Sequence, residues 1–187
     1  SISVDGDTST NDAVVLMATA AADIEPIETQ SDKRYPVFLA ALKQLCSYLA
    51  EAIVRDGEGA TKLINVQVEQ AYTASDAKEV AYTVAHSPLV KTAFFASDPN
   101  WGRILAAVGR ANIATINVDA VSIYLNDICI VKAGKRSADY TEEQGQKVMN
   151  QDEICVRICL AQGDCSSRVL TCDLSYDYVK INAEYRS

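Results

Sequence analysis

The sequence predicts a mixed α/β protein whose strands are interleaved with clusters of helices, and three observations carry that prediction. Residues 63–71 and 153–160 alternate apolar with polar side chains, the period of a half-buried strand. From Tyr35 onward Phe38, Ala41, Leu42, Leu45, Leu49 and Ile53 recur at helical spacing. Between the strands, helix-start signals come in groups of two or three.

In chain order, Ile2 and Val4 read as the middle of a strand. Ser9 or Thr10 predicts the cap of a helix whose apolar run goes from Val14 through Met17 to Ala21. The polar stretch 23–34, with Pro26, predicts a loop. The helix from Tyr35 is expected to bury its apolar stripe and to stop at Gly57. Within 63–71, Ile64, Val66 and Val68 point inward. Ser75 opens a helix through Val80, Ala81 and Val84, with His86 at its end. Pro88 suits the first turn of the next helix, which carries Leu89, Val90 and Phe94. A third begins at Asn100 and Trp101 and runs through Ile104, Leu105 and Val108. Strands 122–125 and 128–131 flank Asn126-Asp127, a hairpin signal. Thr141 and Gln144 form a capping box that opens a helix toward Met149. A last strand covers 169–174. The tail after it holds Leu174, Tyr176, Tyr178, Val179, Ile181 and Tyr185, too apolar to hang loose, so it is expected to dock. One unit over 1–187 is expected, with a division into subdomains of about 1–115 and 116–187 as the alternative.

Composition narrows the function. The chain has 187 residues, 49% hydrophobic, with 25 acidic against 17 basic side chains and a net charge of −8. A chain this size buries about 70% of the surface its unfolded form exposes, so its core needs neither metal nor disulfide. Scattered bases in an acidic chain argue against nucleic acid and anionic membranes as partners, because phosphate binding rests on clustered Lys and Arg. Asp5, Asp7, Asp12, Asp23, Glu25 and Glu28 precede the first basic residue. No apolar run is expected to approach the ~20 residues of a membrane span. The six cysteines form no C-x-x-C pair and there is a single histidine, which argues against zinc. The thiols are expected to be reduced and buried or half-buried, with Cys155 and Cys159 on the same face as Arg157. The opening Ser-Ile-Ser-Val, without Met or a signal sequence, reads as a processing product or part of a longer polypeptide.

Four stretches can carry chemistry. DGDTSTND (5–12) follows a strand. It fails as a calcium loop, because Gly6 is misplaced and Leu16 stands where the bidentate Glu belongs. As the D-x-D-x-T loop of a magnesium phosphohydrolase, with Asp5 and Asp7, it needs a downstream Lys and a pair of acids, and Gly163-Asp164 offers only one acid. Otherwise it is a capped turn. In DGEGATK (56–62) two glycines let the backbone approach a ligand, and Glu58 offers a carboxylate to an ammonium group; the alternative is a helix stop with a solvated Glu. SPLVKTAFFASDPNWGRILAAVGRA (87–111) holds the only Trp beside Arg103, where packing competes with binding. CDLSYDYVKINAEYRS (172–187) brings Asn182 and Ser187 as hydrogen-bonding groups, or merely covers core. No nucleophile–base pair stands out. A non-catalytic interaction domain is therefore a further alternative.

Together SISVDGDTSTND and these three later stretches, in this order, resemble the ornithine acetyltransferase family, the bifunctional glutamate N-acetyltransferases of arginine biosynthesis. The resemblance spans nearly the whole chain. It implies the autoprocessed ornithine acetyltransferase fold of DmpA/ArgJ type, and a precursor that cuts itself before a Thr into associated α and β chains. That N-terminal Thr would be the nucleophile, taking acetyl from N-acetylornithine, releasing ornithine and passing the acetyl group to glutamate. An oxyanion hole in the α chain would stabilise the intermediates. Many members also accept acetyl-CoA. This sequence resembles the β chain, with the Thr lying before the segment that matches Ser1, so the chain alone is expected to be inactive. The resemblance assigns substrate binding to Glu58, Asn182 and Ser187, and no catalytic residue to this chain. It implies no metal or cofactor, acetyl-CoA as a second acetyl donor, the α chain as partner in an (αβ)2 heterotetramer, and a cytoplasmic enzyme. Many relatives end in Thr where Ser187 stands, and the match is poorer around 166–170. Asp5, Asp7 and Asp12 are expected to hold their loop near the site.

Overall fold

A computed structural model of the chain describes residues 2–9 and 11–185. Six strands form one sheet: β1 (Leu63–Ala71), β2 (Ser122–Leu125), β3 (Ile128–Lys132), β4 (Lys135–Arg136), β5 (Glu153–Cys159) and β6 (Cys165–Cys172). Their order is β4-β3-β2-β5-β1-β6, with β1 parallel to β5 and antiparallel to β6. The α-helices among the described residues are α1 (Tyr35–Arg55), α2 (Ala74–Ala85), α3 (Pro88–Phe95), α4 (Trp101–Gly109), α5 (Glu142–Met149) and α6 (Tyr176–Glu184).

The alternation in β1 and β5 sorts the sheet into two unlike faces. Ile64, Val66 and Val68 join Ile154, Val156, Ile158, Ile123, Leu125 and Val169 in the main core, together with Val80, Val84, Phe94, Ile104 and Val108 of α2, α3 and α4. The opposite face carries Asn65, Gln67, Glu69, Cys155, Arg157 and Cys159, all half-buried. There Arg157 stacks over the Tyr124 ring at 3.9 Å and faces Glu69 at 3.8 Å. Near the end of this face Val54 of α1 packs with Leu63, Leu170 and Cys172, flanked by Ile2, Val4 and Ala60.

Local signals fix the elements around that core. Thr73 caps α2, Ser87 caps α3 ahead of Pro88, and Asn100 caps α4, each accepting a bond from a first-turn amide. The Thr141–Gln144 capping box forms as the spacing predicts. Asn126 takes φ 50° in the β2–β3 turn, a value its side chain tolerates. His86 is the C-cap of α2.

Several expectations are corrected. Residues 13–21 form no helix; Ser9 Oγ accepts from the Asn11 and Asp12 amides in a tight turn, and Val14 and Met17 are 94% and 84% exposed. A helix that short is marginal without a surface to pack on, and the chain offers it none. Thr10 lies outside the described residues. Ile2 makes a single bridge to Leu170 rather than a strand. In α1, Phe38, Leu45, Leu49 and Ile53 are exposed, and only Val54 is buried. By length and composition α1 also counts as one helix able to cross a membrane, contrary to the expectation that no apolar run approaches that length. Lys43 and Glu51 interrupt it and its apolar residues favour one side, the pattern of a helix that packs on protein. β6 begins at Cys165, earlier than expected, because Cys165, Ser167 and Arg168 pair with Ala71, Val68 and Gln67 of β1 although the segment is polar, with a bulge at Ser166. The tail is a helix, α6. Cys46 is exposed while the other five thiols are buried or half-buried, and all six are free. β4 and a 3-10 turn at Val118–Ala120 are too short to leave a periodic signal.

Candidate functional site

The polar loop 56–62, the loop 3–7 and α6 meet where β6 ends. Ser175 Oγ accepts from the Tyr178 amide and so caps α6, and it donates to Gly59 O at 2.6 Å. Gly59 has φ +64°, and a Cβ there would lie 2.6 Å from both Ser175 Oγ and the Tyr178 nitrogen, so only glycine lets the loop come this close to the helix start. One turn along α6, Asn182 Nδ2 donates to Glu58 Oε2 at 2.6 Å and to Tyr178 O at 3.0 Å. Residues 124 apart in sequence thereby form one hydrogen-bonded pair on an exposed surface.

The first loop joins the same cluster. Tyr178 Oη donates to Asp5 Oδ2 at 2.9 Å, and Asp5 Oδ1 accepts from the Asp7 amide. Desolvation, then the bond to Asp5 and the negative charges of Asp5, Asp7 and Glu58, push the Tyr178 phenol up to about 12. Tyr178 therefore stays a neutral donor at ordinary pH. Among the described residues Asp5, Asp7 and Glu58 form no ion pair with Lys or Arg. Such a surface attracts an ammonium group, and the Glu58–Asn182 pair can hydrogen-bond one. Ser187 lies outside the described residues.

Behind the loop lie buried or half-buried supports. Asp173 accepts from the Thr61 and Lys62 amides at 2.8 Å each and from Thr61 Oγ1 at 2.6 Å. Lys62 Nζ donates to Phe94 O, Ser97 Oγ and Met149 O, and burial pushes its pKa down. Lys91, also lowered by burial, donates to Thr171 Oγ1 at 3.1 Å and to Cys172 O. His86 Nε2 bonds Ser3 Oγ at 2.8 Å; burial and then nearby Lys91 lower its pKa. Among the described residues no group of His, Cys, Asp and Glu gathers to hold a metal. Trp101 packs against the core, and Arg103 donates to Leu89 O, so that stretch serves packing.

The structure thus brings Glu58, Asn182 and Asp5 together and adds Tyr178, Asp173 and Ser175, which the sequence reading did not single out for function. A Ser three residues before a paired amide, with Asp177 in the first turn, is a helix-start signal in the tail that could have found Ser175. Surface clefts lie elsewhere. One of about 310 Å³ is lined by Asn65, Asn126, Cys155 and Arg168, and one of about 360 Å³ by Ser87, Asn100, Arg103 and Arg110. Neither touches Glu58 or Asn182, whose pair lies on a shallow, open surface.

The architecture is that of a solved protein of known class: a crystal structure of arginine biosynthesis bifunctional protein ArgJ from Bacillus halodurans superposes with a TM-score of 0.91 at 40% identity, over 98% of this chain and 85% of that one. The chain belongs to the ArgJ family, whose model matches residues 1–187. Relatives named arginine biosynthesis bifunctional protein ArgJ, from Methylococcus capsulatus, Neisseria gonorrhoeae and Pseudomonas fluorescens, are 56%, 55% and 52% identical over 186 residues. Each is matched along 100% of this chain, and the chain spans 45–46% of their length.

Proposed function

We propose that the chain is the substrate-binding β portion of an enzyme that moves acetyl from N-acetylornithine to glutamate, giving ornithine and N-acetylglutamate. The hydroxyl of an N-terminal Thr outside this chain attacks the acetyl carbonyl, ornithine leaves with its amine protonated, and the glutamate amine then displaces the Thr oxygen from the acetyl ester. Glu58, Asn182 and Ser187 hold the amino-acid part of the substrate. The observation that carries this reading is the 2.6 Å bond between Asn182 and Glu58, which joins two residues independently assigned to substrate binding by resemblance. Acetyl-CoA is a second donor, no metal or cofactor takes part, and the enzyme is cytoplasmic. The α chain of the same precursor is the partner, in an (αβ)2 assembly. Support comes from the relatives' length, about twice that of this chain, and from the exposed apolar residues of α1 and 14–17.

The test is Glu58→Gln in the complete enzyme. Its charge should matter more than its size, so the variant should fold and self-cleave yet lose most acetyl transfer. Near-native turnover would remove Glu58 from the site. An intact-mass spectrum after brief incubation with N-acetylornithine should add one acetyl group to a chain that begins with Thr.

A further inference from the structure

We propose that Asp173 is a positioning residue: it sets Glu58 against Asn182, with Ser175 as its second anchor. This inference rests on the reading of Glu58 as a substrate ligand. Asp173 is only 2% exposed and Ser175 5%, yet both are polar, so each needs partners that justify its burial. Apart from the Tyr178 amide that Ser175 caps, their hydrogen-bond partners lie in the loop that carries Glu58. The Asp173 carboxylate takes the Thr61 amide, the Lys62 amide and the Thr61 hydroxyl at 2.6–2.8 Å, and the Ser175 hydroxyl takes Gly59 O. Glu58 is thus followed directly by contacts at Gly59, Thr61 and Lys62 that tie its loop to the segment leading into α6, where Asn182 sits. A third constraint is the Gly59 backbone, which touches the helix start so closely that no Cβ fits.

Among the described residues Asp173 forms no direct ion pair, and Lys62 and Lys91 both lie within reach of its charge. Lys91 also holds the backbone on either side, donating to Cys172 O and accepting the Leu174 amide at 3.3 Å. A charged acceptor of two backbone amides is among the stronger hydrogen-bonding arrangements. Loops are otherwise the mobile parts of a fold, so a ligand on a loop needs such a tie to keep one geometry.

The proposal is tested in the complete enzyme, by the affinity for ornithine measured calorimetrically without an acetyl donor, so that no turnover intervenes. Asp173→Asn keeps the side chain's shape but replaces one acceptor with a donor. It should weaken ornithine by about tenfold while thermal unfolding and self-cleavage stay close to the parent. Combined with Glu58→Gln it should weaken ornithine by less than about twofold beyond Glu58→Gln alone, because the two act in series. Additive losses, or an unchanged affinity in Asp173→Asn while Glu58→Gln loses it, would overturn the positioning role and leave the substrate reading standing. An unchanged affinity in Glu58→Gln would overturn both. Should Asp173→Asn fail to fold, Ser175→Ala serves instead: it should weaken ornithine by roughly threefold, and parental affinity there would sink the proposal.

Discussion

Helices α1 and α2 both carry an apolar stripe, and the protein treats them in opposite ways. Over 12 residues α2 buries Ala77, Val80, Ala81, Val84 and Ala85 against the sheet, whereas α1, 21 residues long, buries Val54 alone. The stripe states which face of a helix gains by leaving water. Which surface answers that demand is a tertiary fact. For α2 the answer is β1 and β6 within this chain, and for α1 the described residues supply it only around Val54.

The comparison is sharpest in a matched pair of substitutions. Phe94 of α3, in the same layer as α2, is 1% exposed, and Phe38 of α1 is 53% exposed. In urea unfolding of the chain, Phe94→Ala should cost about 3–5 kcal/mol, the transfer loss plus the cavity left in a rigid core. Phe38→Ala should fall within about 0.5 kcal/mol of the parent. If the partner chain proposed above covers α1, Phe38→Ala in the assembled protein should approach the cost of a core truncation. Equal costs for the two variants in the chain alone would break the distinction between the helices.

The same contrast explains how much was legible in the sequence. β1 matches its expected bounds, α3 and α4 begin at Pro88 and Asn100-Trp101 as read, and α2 begins one residue before the expected Ser75, capped by Thr73; each cap acts through a bond to an amide three residues away. The failures share a cause in long-range packing. Residues 13–21 have helical composition but no neighbour to pack on, and the α1 stripe has neighbours only at Val54. At the site, Glu58 and Asn182 could be named from short motifs, but their meeting depends on Asp173 and Ser175, which reach across more than 110 residues. Nothing local in a buried Asp announces that its partners are the amides of Thr61 and Lys62.

The helix starts differ as the helix faces do. The Thr73 hydroxyl accepts the Asp76 amide at 3.0 Å, whereas α1 begins without a side-chain cap. Thr73→Ala should therefore lower the stability of the chain by about 1 kcal/mol. Unchanged stability would mean that packing of α2 on the sheet already fixes its first turn.

What anchors the start of α1 is instead a charged turn. Asp32 Oδ2 meets Arg34 Nη2 at 2.5 Å, and the same guanidinium donates to Glu25 O and Pro26 O, tying the polar arm to the helix. The Arg34 side chain, then its amide, hold the Asp32 carboxyl at about 2, below its ordinary 3.8. A depressed carboxyl contributes its stabilisation above the unfolded value, and loses it as pH falls from 3.8 through 2. Exposed charges are also screened by salt. Protection of the amides of Arg34, Tyr35, Val37 and Phe38, relative to the intrinsic exchange rate at each pH, should thus fall across that acid range, and again in about 1 M salt at neutral pH, where the Debye length shrinks to ~3 Å. Exchange at residues 74–77, behind a hydroxyl cap that does not titrate, should stay slow in salt. The effect is small, since the pair is solvated. Protection lost in step at both starts would mean that the two helices open as one unit, and the separation drawn between them would fail.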